Sequence, residues 1–164
     1  MRYIVASTSL ALAILLAGAA QAATTGGNLN IQATVVDTCS VTDASLDFGT
    51  VDPAAGTTVP ATTTIDVTCN LGTGYSVGLN DGANASSGAR RLKRGSATEY
   101  LGYELYQDPT ATTRFGDAVE AERVTELTGL GILPNVIPVY GQIAAGQAAS
   151  AGVYSDVVQI TVYY

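Results

Sequence analysis

Short segments of alternating apolar and polar residues, separated by glycine, proline, asparagine and aspartate, recur along most of the chain after residue 23. A period of two residues places every second side chain on one face of a β-strand, whereas an amphipathic helix repeats its apolar residues every three or four positions. Few windows of this sequence show the helical period. The pattern therefore predicts an all-β fold built from short strands and tight turns.

The two ends of the region after residue 23 carry the most regular alternation. Near its start, residues 28–36 place four side chains on one face: Leu29, Ile31, Ala33 and Val35. Residues 154–164 end the chain and likewise share one face through Val158, Ile160, Val162 and Tyr164. A leading strand that follows the flexible segment 23–27, together with a strong final strand, predicts a detachable strand at one end and an open sheet edge at the other.

Further strands are expected between these two segments. The pattern predicts them at 46–51, 62–69, 75–80, 101–106 and 139–146. The polar stretch 83–98 indicates a loop or an exposed hairpin, and the acidic segment 117–126 is weakly helical at best. Pro134 and Pro138 favour an edge position for any strand that contains them, because proline cannot donate a ladder hydrogen bond.

Residues 1–22 have the features of a secretory signal peptide. Arg2 provides a positive start, an apolar run follows, and Ala20-Gln21-Ala22 fits a small-x-small cleavage site. The apolar run is shorter than the roughly 20 residues that a membrane-spanning helix needs, so we favour cleavage over an uncleaved anchor. The mature chain would begin at Ala23 and would be long enough for one domain with its own core.

The expected mature chain is strongly acidic. All 14 acidic residues and six of the seven basic residues lie after position 22, which gives a formal charge of −8. A surface of this charge disfavours binding to nucleic acid and to anionic lipid.

The chain has only two cysteines, Cys39 and Cys69. Export places them in an oxidising compartment, where an even pair usually forms a disulfide. The alternatives are two separate reactive thiols or half of a metal site. Zinc would need further cysteine or histidine ligands, which the sequence lacks. We therefore expect the disulfide, with no metal or other cofactor.

The residues that usually carry catalysis are scarce. The absence of histidine excludes Ser-His-Asp and Cys-His arrangements and the commonest general base. Three acidic residues cluster without an apolar pocket around them and indicate a solvated face: Glu120, Glu122 and Glu126. We expect no enzyme and no catalytic residue.

One basic cluster occurs, and tyrosines follow it. The cations are Arg90, Arg91, Lys93 and Arg94, and the tyrosines are Tyr100, Tyr103 and Tyr106. This combination raises the hypothesis of a carbohydrate-binding module that uses Arg91 and the three tyrosines. We favour a structural interpretation, in which the cations pair with acidic neighbours and the tyrosines belong to a strand.

Several segments together resemble the spore coat protein U domain family, which includes pilin subunits of archaic chaperone-usher pili. They are an alternating strand leading into a cysteine (IQATVVDTCSV), LDFGTVDP, a second cysteine in IDVTC, and the terminal AGVYSDVVQITVYY. The resemblance spans essentially the whole mature chain. The start, AATTGGNLNIQATVVDTC, is also similar to the N-terminal extension of type 1 pilins.

The resemblance implies an immunoglobulin-like β-sandwich that lacks its last strand. In such pilins a periplasmic chaperone holds the subunit, an outer-membrane usher receives it, and the N-terminal extension of the next copy completes the fold. Residues 23–38 would be this donor extension and 39–164 the domain, with Leu29, Ile31, Ala33 and Val35 as donor side chains. Ala33 is small for such a role, which leaves the register of the donor strand open.

The same resemblance assigns roles to the cysteines and to the final strand. Cys39 and Cys69 would tie the first strand of the domain to the second. The final strand would line the acceptor groove and meet the chaperone through Val158, Ile160, Val162 and Tyr164. The implied function is a structural pilus subunit at the cell surface, for adhesion and biofilm formation. The alternative with the same fold is a secreted coat protein.

Overall fold

The computed structural model describes residues 22–52 and 54–164. Nine strands occur in these residues: β1 Cys39–Val41, β2 Val59–Cys69, β3 Gly74–Leu79, β4 Arg91–Arg94, β5 Tyr100–Tyr106, β6 Val124–Thr128, β7 Asn135–Ile143, β8 Tyr154–Ser155 and β9 Ile160–Tyr163. The one helical element in this part of the chain is a 3₁₀ turn at Glu120–Glu122. The all-β prediction is confirmed. No helix among the described residues is long and apolar enough to cross a membrane.

The strands form two sheets around a shared core. One sheet has the order β1-β2-β7-β5-β4-β8 and the other has the order β6-β3-β9. The longest ladder is antiparallel and joins β2 to β7 from Val59–Ile143 to Val67–Asn135. Both sheets contribute to one buried cluster: Ile65, Val67, Cys69, Tyr75, Val77, Leu79, Leu101, Tyr103, Leu105, Phe115, Ile137, Val139 and Ile143. The alternating faces of the strands therefore produce the core, as the sequence pattern requires.

The predicted strand at 46–51 is irregular, yet it still contributes to the core. Leu46, Phe48 and Val51 pack against the buried cluster. Phe48 and Leu46 lie directly over Gly141 of β7, where an added Cβ would stand 2.9 Å from the Phe48 ring and 3.1 Å from Leu46. Glycine at this position allows the irregular segment to approach the sheet closely.

The expectation that prolines would keep their strand at a sheet edge is wrong for the strand as a whole, although it holds locally at Pro138. β7, which contains Pro138, lies between β2 and β5. Pro138 faces Thr64 of β2, while β5 pairs only with Tyr140–Ile143. At Pro138, β7 therefore pairs with β2 but not with β5. The N–H group that proline lacks is not needed for a ladder with β5 at this position.

Residues 28–36, predicted as the leading strand, belong to no strand. Their apolar side chains are almost fully exposed, with Leu29 at 84%, Ile31 at 86% and Val35 at 84%. Alternation specifies which face of a strand is suited to burial, but a strand also needs a backbone partner. The segment 83–98, predicted as a loop or hairpin, contains β4 in a hairpin with β5. The expected signal peptide, residues 1–22, lies outside the described residues except for Ala22.

Candidate strand-acceptor cleft

The final segment of the chain moves from one sheet to the other. β8 pairs with β4 in the six-stranded sheet, whereas β9 pairs with β3 in the three-stranded sheet. Between them, the backbone of Ala83 donates to Val157 O at 3.0 Å, and the side chain of Asn80 accepts from the Gln159 backbone at 2.9 Å. The single predicted strand at 154–164 is thus two short strands joined by a segment fixed to the loop after β3.

β9 is the outermost strand of its sheet and pairs only with β3 among the described residues. Val158, Ile160 and Val162 pack against the core, whereas Tyr164 is 63% exposed. The inward face predicted from alternation is therefore present for three of the four side chains. An outermost strand offers unpaired N–H and C=O groups to any further strand.

An open cleft lies between the irregular segment 44–52 and the segment 149–160. It comprises two depressions of about 350 Å³ and about 760 Å³ that share four lining residues: Leu46, Phe48, Leu92 and Asp156. The smaller depression reaches core residues of both sheets, including Ile65 and Leu79, and is lined by Val158 and Ile160 near the β9 edge. Apolar side chains of the core therefore form the floor of an open depression beside an unpaired strand edge.

Asp156 is the carboxylate that lines both depressions of the cleft, whereas Asp47 and Asp52 line only the larger one. Asp156 accepts hydrogen bonds from the Tyr103 hydroxyl at 2.8 Å, the Asn84 backbone N–H at 3.0 Å and the Asn84 side-chain amide at 2.9 Å. Burial and the hydrogen bond to Asp156 raise the pKa of the Tyr103 phenol well above its usual value. Tyr103 therefore stays neutral and donates to Asp156, which links the segment between β8 and β9 to β5.

A buried arginine supports the floor of the cleft. Arg90 is 1% exposed and donates to the backbone oxygens of Leu79 at 2.7 Å and Phe115 at 2.8 Å, and it forms an ion pair with Glu104. Glu104 also binds Arg114 at 3.1 Å. This network holds the end of β3 to β5. Leu79, the last residue of β3, lines the cleft at this point.

Arg90 belongs to the stretch predicted as a loop or an exposed hairpin, and its burial differs from that expectation, whereas its ion pair with Glu104 fits the structural interpretation of the basic cluster. Arg90 and Leu92 are two residues apart, so their side chains lie on the same face of an extended chain. This spacing in the sequence could have predicted that Arg90 is buried. The neighbouring cations fit the structural interpretation: Arg94 pairs with Glu99 at 2.8 Å, and Arg91 stacks on Tyr100 at 4.2 Å from the ring centre.

The three tyrosines do not form a single binding surface. Tyr103 belongs to the core, whereas Tyr100 and Tyr106 lie on the opposite face of β5. Glu122 of the acidic cluster pairs with Arg114 at 2.7 Å, while Glu120 and Glu126 are exposed. No group of three or more metal-binding side chains occurs in the described part of the chain. Cys39 and Cys69 form the expected disulfide, which joins β1 to β2.

Two packed sheets with a free outer edge at β9, beside an apolar cleft, define an immunoglobulin-like β-sandwich of the pilin type. A structural comparison agrees with this fold. One chain of the crystal structure of the CsuC-CsuE chaperone-tip adhesion subunit pre-assembly complex, from the archaic chaperone-usher Csu pili of Acinetobacter baumannii, matches with a TM-score of 0.60 and 23% identity. The match covers 80% of this chain and 40% of the other, so this chain spans less than half of its structural relative.

Sequence comparisons identify the family. The profile of the Spore Coat Protein U domain matches residues 25–161. "Protein U" of Myxococcus xanthus is 32% identical over 176 aligned positions, which cover 98% of this chain and 96% of that protein. The chain therefore belongs to the Spore Coat Protein U domain family.

Proposed function

We propose that this chain is the structural subunit of a pilus and that it polymerises head to tail by donor-strand complementation. The observation that carries the proposal is the combination of an open apolar cleft beside β9 with an extension whose apolar side chains are exposed. In β-strand addition, main-chain hydrogen bonds to the sheet edge provide affinity, and pockets for alternate side chains provide specificity. Each copy would fill the cleft of its neighbour with its own extension.

The donor segment lies within residues 23–38. Leu29, Ile31, Ala33 and Val35 provide the face that enters the cleft, and the residues between them would remain outside. The last part of the extension is already bound to the domain, because Asn70 donates to Val36 O at 2.8 Å and Thr73 donates to Asp37 at 2.7 Å. The part that is free to donate therefore ends at Val35.

The acceptor is the outer edge of β9 together with the cleft. Val158 and Ile160 would contact the donor side chains, while Val162 and Tyr164 extend the same face towards the end of the chain. Before assembly, a periplasmic chaperone would occupy this edge and keep unassembled copies from aggregating. The role we propose is structural, and Asp156, which lines both depressions, serves it by binding Tyr103 and Asn84.

Insertion of the donor strand is favourable only if side-chain burial and backbone hydrogen bonds both contribute to its free energy. Burying Leu29, Ile31 and Val35 contributes about 5–8 kcal/mol, whereas ordering about eight residues costs roughly 8–16 kcal/mol. About eight ladder hydrogen bonds at ~1 kcal/mol each offset most of the difference. A donor held by many simultaneous contacts also leaves slowly, which makes the polymer kinetically durable.

Head-to-tail exchange joins two different surfaces, and such a contact produces an open filament unless its rotation closes a ring. With cleavage of residues 1–22, the subunit would pass through the periplasm and an outer-membrane usher to the cell surface. The polymer would support adhesion and biofilm formation. Its partners are other copies or related pilins, the chaperone and the usher.

A secreted coat protein is the second candidate function. The observation that favours it is the similarity to Protein U over nearly the whole chain. The two functions share the fold and the cleft but differ in the material that they produce. Electron microscopy of the assembled protein distinguishes them, because a pilus subunit gives discrete filaments whereas a coat protein gives layers on a cell surface.

Deletion of residues 23–36 tests the proposed function. The shortened chain keeps the cleft but has no donor, so it should bind a chaperone and cap the end of a polymer without extending it. Co-expression with the chaperone, followed by sedimentation and microscopy, measures both properties. Normal polymerisation of the shortened chain would contradict the donor assignment.

A further inference from the structure

Two loops place an apolar patch at one end of the domain. Four side chains, here called the loop patch, are exposed there: Leu71, Leu130, Ile132 and Leu133. Ile132 is 95% exposed and Leu71 is 82% exposed. The loops are in contact, since Gly72 donates to Gly129 O at 3.0 Å and a Cβ on Gly131 would lie 3.7 Å from the Leu71 Cβ. Exposed apolar groups that cluster in this way mark an interaction surface.

The side chains of the loop patch and their sequence neighbours carry no charge; a carboxylate near them in space is Asp37, which accepts a hydrogen bond from Thr73 at 2.7 Å. No acidic or basic residue occurs between 67 and 80 or between 127 and 136, although the expected mature chain has a charge of −8. Two copies with this charge repel each other over most of their surfaces. Identical acidic subunits repel each other least where their surfaces lack charged side chains. The composition of the loop patch therefore favours a second copy as the partner.

The attachment of the extension places that second copy at the loop patch. Asn70, the neighbour of Leu71, binds the extension twice: its backbone donates to Thr38 O at 3.1 Å, and its side chain donates to Val36 O. In the proposed polymer, Val35 already lies in the cleft of the next copy. Consecutive Cα atoms are about 3.8 Å apart, so no spacer separates the two bodies at this point.

We infer that the loop patch is a second contact between consecutive copies in the polymer, and that it packs against the rim of the cleft that receives the extension. This inference rests on the proposed function. The donor strand would connect the copies, and the loop patch would fix the angle between them. A polymer held by both contacts is stiffer than one held by the extension alone.

A fluorescent label at position 132 tests the contact directly. Both native cysteines are in the disulfide, so Ile132→Cys provides a unique attachment point in the full-length chain for an environment-sensitive dye. Assembly should shift its emission to the blue and protect it from a soluble quencher. Val119→Cys is the matched control, because Val119 is an exposed apolar residue outside the loop patch and should show neither change.

A label at 132 that stays as accessible to quencher in the polymer as in the free subunit overturns the inference. If the chain lacking residues 23–36 still polymerised, the proposed function would fail and this inference with it. Retained dependence on residues 23–36 with an exposed label rejects the loop patch alone.

The variant Ile132→Ser adds a mechanical measurement. Loss of one buried isoleucine weakens the second contact by roughly tenfold to a hundredfold, so the variant polymers should bend more, with a shorter persistence length in electron micrographs. Unchanged stiffness contradicts the inference. If the variant polymers kept their stiffness but adsorbed less to a methyl-terminated surface, the loop patch would be an adhesive surface instead of a contact between copies.

Discussion

A lysine at position 31 should block donor-strand insertion, whereas a lysine at position 30 should not. Ile31 is 86% exposed in the subunit, so its full burial in a cleft would contribute about 1.5–3 kcal/mol. Ile31→Lys removes this term and also places a charge against an apolar surface, which adds further cost. Binding should weaken by at least tenfold to a hundredfold. Asn30 lies on the opposite face, and Asn30→Lys should change binding by about twofold at most.

Fluorescence polarisation provides the assay. Labelled peptides that correspond to residues 23–36 are titrated against the chain lacking those residues, so each acceptor has one vacant cleft and no donor of its own. Asn30→Lys is the matched control, because it introduces the same charge one residue away. Equal weakening by the two substitutions would refute the predicted face of the donor strand, since charge alone would then explain the loss.

Three further predictions concern the body that forms the cleft. Gly141→Ala should destabilise the domain by about 1–3 kcal/mol in chemical denaturation, because its methyl group meets Phe48, whereas Gly56→Ala, with open space around it, should stay within about 0.5 kcal/mol; equal effects would contradict the packing. Tyr103→Phe should cost about 1 kcal/mol at neutral pH through the lost hydrogen bond to Asp156. Because folding raises the pKa of Tyr103, its contribution is complete below the unfolded pKa of about 10 and declines as the pH rises above it, so the stability of wild type should fall there more steeply than that of the variant. Replacement of both cysteines by serine should lower the free energy of unfolding by about 3.5 kcal/mol, because the disulfide closes a loop between residues 30 positions apart and so restricts the unfolded chain. An unchanged free energy of unfolding would contradict this explanation.

Alternation predicted the strands that have partners within the chain. The inward faces of β2, β5 and β9 follow directly from it, because burial against the second sheet rewards every second residue. Residues 28–36 show the same alternation without forming a strand. In their case the pattern specifies a face that is suited to burial, but these residues have no strand partner among the described residues.

Other features depend on distant contacts and could not be predicted from local patterns. Pro138 is tolerated in a central strand because the ladder with β5 ends at Tyr140, and local sequence does not encode that end. The burial of Arg90 depends on backbone oxygens from Leu79 and Phe115, far apart in the sequence. The break between β8 and β9 is fixed by two distant contacts: Asn80, after β3, accepts from Gln159, and Asp156 accepts from Tyr103 of β5.

The most direct test of the central claim is a cryo-electron microscopy map of the assembled polymer at a resolution that separates strands. The account predicts that residues 28–36 of one copy form a strand beside β9 of the next copy, with Ile31 inside the cleft. A map in which these residues fill the cleft of their own copy, or lie outside every cleft, would contradict it.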